Sequence, residues 1–175
     1  MSNEFQNAQE KRKPRAAIPR SNARFAAIQA LYQMDVAQTD LNDVIEEFSV
    51  NRLKDLPDIP LENPLEENDD IDKSFFRKLL TGIIEQQRVI DQSINAHLAV
   101  GWDLTRIDSI LRAILRAGTF EVIARKDIPA KVVINEYMNI AHAFFEGDET
   151  GVVNAVLDKL ARQHRFDEAT EKTLS

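Results

Sequence analysis

From Phe75 onward the apolar residues recur every three or four positions: Phe75, Phe76, Leu79, Ile83, Ile90 and Ile94, then Ile107, Ile110, Leu111, Ile114, Gly118 and Val122. That rhythm matches the 3.6-residue turn of a helix and gathers these side chains on one face, whereas a strand needs strict alternation. No stretch alternates convincingly beyond four residues, and only five glycines and six prolines punctuate the chain. A chain built this way has to bury helix against helix. We therefore expect an all-α fold of six or seven helices, arranged as two small three-helix-type bundles.

The first helix is predicted to open at Ser21 or Asn22, either of which can accept from a free amide of the first turn. It would bury Ala23, Ala27, Ala30, Leu31 and Met34. Asp40 would start a second helix with Leu41, Val44, Ile45 and Phe48 inward, and a third is expected from about Asp72 to His97. Gly101 ends that run, and Asp103 or Thr105 can cap the fourth helix. The segment Asp127-Ile128-Pro129 stops the fourth and starts a fifth with Val133, Tyr137, Ile140, Ala141 and Phe144 inside, because proline suits a first helical turn. Asp148 is the expected cap of the last helix, whose core residues are Val153, Val156, Leu157 and Leu160. The expected organisation is a flexible basic arm over 1–19, one helical domain over 20–162 with bundles at about 20–98 and 103–162, and a tail over 163–175.

Charge is strongly segregated. The formal net charge is −7, yet residues 1–24 hold Lys11, Arg12, Lys13, Arg15, Arg20 and Arg24 against Glu4 and Glu10. Residues 35–72 hold thirteen acids against Arg52 and Lys54, and three prolines fall with seven of those acids in a loop at 55–70. Fields act over about 8–10 Å at physiological salt, so the basic end can meet a polyanion although the whole chain is acidic.

Catalytic chemistry finds little support. There is no cysteine, which excludes disulfides and thiolate chemistry. His97, His142 and His164 fall on separate predicted helices, so no metal site is expected, and no phosphate-cradling glycine motif or nucleophile elbow occurs. The expectation is a binding protein without catalytic residues, cofactor or metal. The N-terminus lacks an apolar signal core and no apolar run suffices to span a bilayer, so we expect a cytoplasmic chain.

Two polar positions stand out. With Ile107 at the centre of the fourth helix's apolar stripe, Glu121 lies about 40° from it, inside the buried face. Arg125, four residues on, shares that face. Either the two form an internal pair or Glu121 meets a protein partner, with Phe120 as a neighbouring exposed anchor. Asn154 flanks the last helix's stripe and can tie helices together or reach a ligand.

Three segments in order, ARFAAIQALYQMD (23–35), RIDSILRAILRAGTFEVIARKDIPAKVVINEYMNIAHAF (106–144) and VVNAVLDKL (152–160), resemble the NusB family of transcription antitermination factors. The resemblance implies an all-helical fold and binding of boxA RNA together with NusE, a small-subunit ribosomal protein. It further implies a place in the transcription elongation complex and support of ribosomal RNA transcription; some relatives form homodimers. It carries RNA contact to Arg20, Arg24, Tyr32, Asp148 and Val152, with Lys11, Arg12, Lys13 and Arg15 adding charge upstream. It carries NusE contact to Glu121, with Phe120 and Arg125 beside it. Val152 stands where the family often has phenylalanine, and Ser21 and Asn22 interrupt the arginine cluster. A protein-only helical adaptor or homodimer with no RNA preference is the competing expectation.

Overall fold

The computed structural model describes residues 18–49 and 71–165, with side chains over 19–46 and 71–165. The basic residues Lys11 to Arg15, the acidic loop at 55–70 and residues 166–175 lie outside the described residues. Seven helices and no strand occur among those described: α1 (Ile18–Ala37), α2 (Leu41–Ser49), α3 (Lys73–Glu85), α4 (Gln87–His97), α5 (Ser109–Ala124), α6 (Ala130–Phe144) and α7 (Glu149–His164).

Helix α5 is the hub, packed against α1, α3, α4, α6 and α7. Its sequence explains why: Leu111, Ala113, Ile114, Leu115, Ala117, Gly118, Phe120 and Val122 are buried around most of its circumference. Two glycines permit close approach. A Cβ at Gly82 would sit 2.2 Å from Phe120 Cζ, and one at Gly118 would sit 2.9 Å from Leu157 Cδ1, so α3 and α7 can reach α5 only because those side chains are missing. The predicted stripes are largely inward: Ala23, Ala27, Ala30 and Leu31 of α1, Val133, Tyr137, Ile140 and Ala141 of α6, and Val153, Val156, Leu157 and Leu160 of α7 are all buried.

Helix ends depart from the expected caps. Helix α1 begins at Ile18, which places Pro19 in its first turn and Ser21 inside the helix; a first-turn proline loses no intrahelical hydrogen bond. The expected third helix is broken at Gln86 (φ −106°, ψ 11°), an exposed residue between exposed Glu85 and half-buried Gln87. Asp108 rather than Asp103 or Thr105 caps α5, accepting from the amides of Ile110 at 2.7 Å and Leu111 at 3.2 Å. Asp103 instead folds onto Thr105, whose amide donates to it at 2.8 Å. Asp72 caps α3 by accepting from the Phe75 amide at 2.9 Å. Asp148 precedes α7 but accepts no capping bond there. Gly101 has φ +93°, a left-handed conformation that favours glycine after α4.

The segment expected as a C-terminal tail also begins too early. Helix α7 continues to His164, and Arg165 is only 5% exposed. Its guanidinium donates to the carbonyls of Val122 at 2.8 Å, Glu121 at 2.9 Å and Arg125 at 3.0 Å, and to that of Ile128. A cation over the last carbonyls of α5 satisfies acceptors the helix cannot and sits at the negative end of its dipole.

Candidate nucleic-acid interface

The first two turns of α1 carry both arginines assigned to RNA contact, and they have different fates. Arg20 is exposed, with its guanidinium 5.0 Å from the Phe75 ring centre and 3.7 Å from Asp72. Arg24 is 3% exposed and points into the protein. It donates twice to Glu121, from Nε at 2.8 Å and from an Nη at 2.9 Å, and its other Nη lies 3.6 Å from Glu136. Arg24 therefore offers no surface to RNA. The cause is depth along the helix rather than angle: Arg20 lies exposed in the first turn, whereas Arg24 lies one turn further in, level with buried Ala23, Ala26, Ala27 and Ile28.

Glu121, on α5, is fully buried. Besides the Arg24 fork it accepts a short hydrogen bond from the Tyr137 hydroxyl of α6. Glu136, the residue before Tyr137, accepts from Ser21 Oγ at 2.7 Å. Two glutamates, an arginine, a tyrosine and a serine from three helices thus form one interior network. Burial works against the charge on Arg24, but the hydrogen bond and negative charge of Glu121 outweigh it and raise its pKa. Tyr137 is pushed well above the ordinary tyrosine range, first by burial and then by the Glu121 charge, so its hydroxyl stays protonated and donates.

The expected Glu121–Arg125 pair is not formed. Arg125 ends α5 and turns outward to Asp127, with two bonds of 2.9 Å. That contact lowers the Asp127 pKa to about 2. Phe120, expected as an exposed anchor, is 6% exposed with its ring against Gly82. Phe120 and Glu121 are interior groups that present nothing to a protein partner, which leaves Arg125 as the member of that trio with a solvent-facing part. Its guanidinium lies 5.2 Å from the Phe75 ring centre, so Arg20, Arg24 and Arg125 converge on one aromatic ring.

Of the remaining assigned residues, Tyr32 and Val152 are half-buried and Asp148 is exposed. Asn154 is also exposed, which excludes the helix-tying role. Sequence reasoning also missed an aromatic group: Phe25 of α1 stacks on Phe144 at 5.7 Å with planes 13° apart, and Phe145 tilts against Phe144 at 6.4 Å. Also missed were Arg112, which ties Asp35 of α1 at 2.6 Å to α5, and Arg116, which binds Asp91 of α4 through two bonds. Among the described residues no group of three or more His, Asp and Glu is placed to hold a metal, and no helix is long and apolar enough to cross a membrane.

Comparison with known proteins agrees with the helical architecture. The NusB family model matches residues 21–162. The transcription antitermination protein NusB of Bradyrhizobium sp. (strain ORS 278) is 49% identical over 158 residues, covering 90% of both chains. The T. maritima NusB structure superposes with a TM-score of 0.69 at 31% identity, covering 87% of this chain and 97% of that one. A crystal structure of antitermination factors NusB and NusE in complex with dsRNA shares the fold, with a TM-score of 0.61 at 21% identity over 82% of this chain and 96% of that one. The curated relative is named as a transcription antitermination protein. Carrying the family's pattern from Ser21 to Arg162 on the family's fold, the chain belongs to the NusB family.

Proposed function

We propose that this protein is a transcription antitermination factor that binds boxA RNA together with the ribosomal protein NusE, and that it acts on the cytoplasmic transcription elongation complex to promote ribosomal RNA synthesis. The observation that carries the reading is the 49% identity with a transcription antitermination NusB along 90% of the chain. Support for the RNA and NusE partners comes from the related assembly of NusB, NusE and RNA. Arg20 stands exposed where the chain enters α1, directly after the basic residues 11–15, and supplies phosphate contacts that position the strand. Tyr32, Asp148 and Val152 serve as the base-facing part, with Asp148 accepting from base edges. Arg125 is the NusE-facing residue that remains from the original trio. Bundles over about 20–98 and 103–162 share α5 as their common wall.

Burial of Arg24 removes one cation from the RNA side and favours the competing reading, a protein-only adaptor or homodimer. One experiment separates the two. Fluorescence anisotropy with labelled boxA and scrambled RNA, with and without NusE, is expected to give tighter boxA binding that NusE strengthens and salt weakens. Equal affinity for both RNAs in the presence of NusE would overturn the RNA reading. Size-exclusion chromatography of the same samples reports the oligomeric state.

A further inference from the structure

The first turn of α1 is held from three sides. The carbonyl of Pro19 accepts from the Asp72 amide at 3.1 Å, at the start of α3. Ser21 Oγ donates to Glu136 Oε2 of α6 at 2.7 Å, across 115 residues of sequence. One turn later Arg24 is forked onto Glu121 of α5, which Tyr137 of α6 also engages. Arg20 lies inside this clamp yet is itself exposed. The buried core of the clamp, Arg24 with Glu121, holds the fold. The Ser21–Glu136 contact is different: it is partly buried, contributes little apolar burial, and acts on the turn from which Arg20 projects.

We propose that Ser21 and Glu136 are positioning residues for the nucleic acid: their hydrogen bond fixes the first turn of α1 on α6, and so fixes the point from which Arg20 reaches the phosphates. The inference rests on the RNA-binding reading above. With the turn held, binding orders only the strand and the long side chains; with the turn released, the same contacts form after the turn itself is ordered. The cost is conformational, and the number of phosphates neutralised stays the same.

The signature follows from that distinction. Ser21→Ala is expected to weaken boxA binding by about fivefold, on the order of one or two groups newly ordered on binding, with the slope of log affinity against log salt unchanged and the melting temperature within about 2 °C of the parent. Ser21→Thr restores the hydroxyl and is expected to recover most of the affinity. Arg20→Ala is the reference: it removes a phosphate contact and lowers the salt slope by about 0.7 for a single strand. If Arg20→Ala weakens binding and lowers the slope while Ser21→Ala matches the parent, the positioning role is wrong and the RNA reading stands. If Ser21→Ala lowers the slope as Arg20→Ala does, the serine contacts RNA directly and the positioning role is again wrong. If neither variant differs from the parent and charge removal at 11–15 has no effect, the RNA reading itself fails.

Discussion

Glu121→Gln tests the buried network most directly, because it removes one charge and little else. The carboxylate is fully buried and its partner Arg24 has a side chain only 4% exposed, so solvent screening gives no relief. In the variant the guanidinium loses the anion that holds both its Nε and an Nη, and the remaining counter-charge, Glu136, is 3.6 Å from the other Nη. Glutamine keeps one oxygen as an acceptor, but its amide nitrogen then faces either a donor of Arg24, which cannot accept, or the Tyr137 hydroxyl, which accepts only by turning its own proton away from position 121. Breaking a buried pair from one side costs about 3–5 kcal/mol. For a chain of this size about 1 kcal/mol moves the melting temperature by 2–4 °C, so the loss expected is about 6–20 °C. Differential scanning calorimetry at pH 7 reads this, and Tyr137→Phe, which deletes a neutral donor only, is expected to fall by clearly less. A Glu121→Gln melting temperature within 2 °C of the parent would show that the network carries no such energy and that Arg24 is free to turn outward.

Gly82→Ala places a methyl on the Phe120 ring, whose Cζ would lie 2.2 Å away; although alanine favours helix, overpacking costs about 1–3 kcal/mol, and a drop of several degrees is expected by thermal melting, relieved when Phe120→Leu is added. Asp127, lowered to about 2 by the Arg125 contact, contributes stability above its unfolded pKa near 3.8 and loses it as pH falls toward 2. Its side chain is 59% exposed, so the contribution is below about 1 kcal/mol. Melting temperatures of Asp127→Asn and the parent, measured from pH 6 to pH 2, are expected to differ slightly at the upper end and converge at the lower; curves that stay parallel would show the pair to be inert.

The apolar period made the helices legible because burial and period are the same fact seen twice. Val133, Tyr137, Val153 and Leu157 are inward where the 3.6-residue rhythm puts them, and Pro129 starts α6 at its fixed φ. What was illegible depends on tertiary partners. Ser21 has the chemistry of an N-cap, yet its hydroxyl is drawn to a glutamate 115 residues away, and the helix begins a turn earlier. Asp103 and Asp108 are equally good capping residues in sequence, and the choice between them rests on where the chain leaves the loop after Gly101. Arg165 carries no local signal at all, since the four carbonyls it serves lie 37 to 44 residues back.

The site shows the same division more sharply. The helical wheel placed Glu121 on the buried face of α5, and a buried carboxylate requires a cation. Local spacing nominated Arg125, because i to i+4 is the only pairing that sequence can measure. Two things defeat that choice. Arg125 sits at the helix end, where the chain is free to turn it toward Asp127 at the surface, and Arg24 arrives from α1 with an uninterrupted fork aimed at both carboxylate oxygens. The segment RSNAR therefore does not act as one cationic cluster. Arg20 stays outside, Arg24 is consumed by the fold, and Ser21 between them is bonded to Glu136, so of the two arginines Arg20 alone faces solvent. Two arginines four positions apart on one helix share a stripe only when that stripe is solvated throughout; here the boundary of the core runs between them, and it leaves one at the surface and uses the other to hold α1 in place.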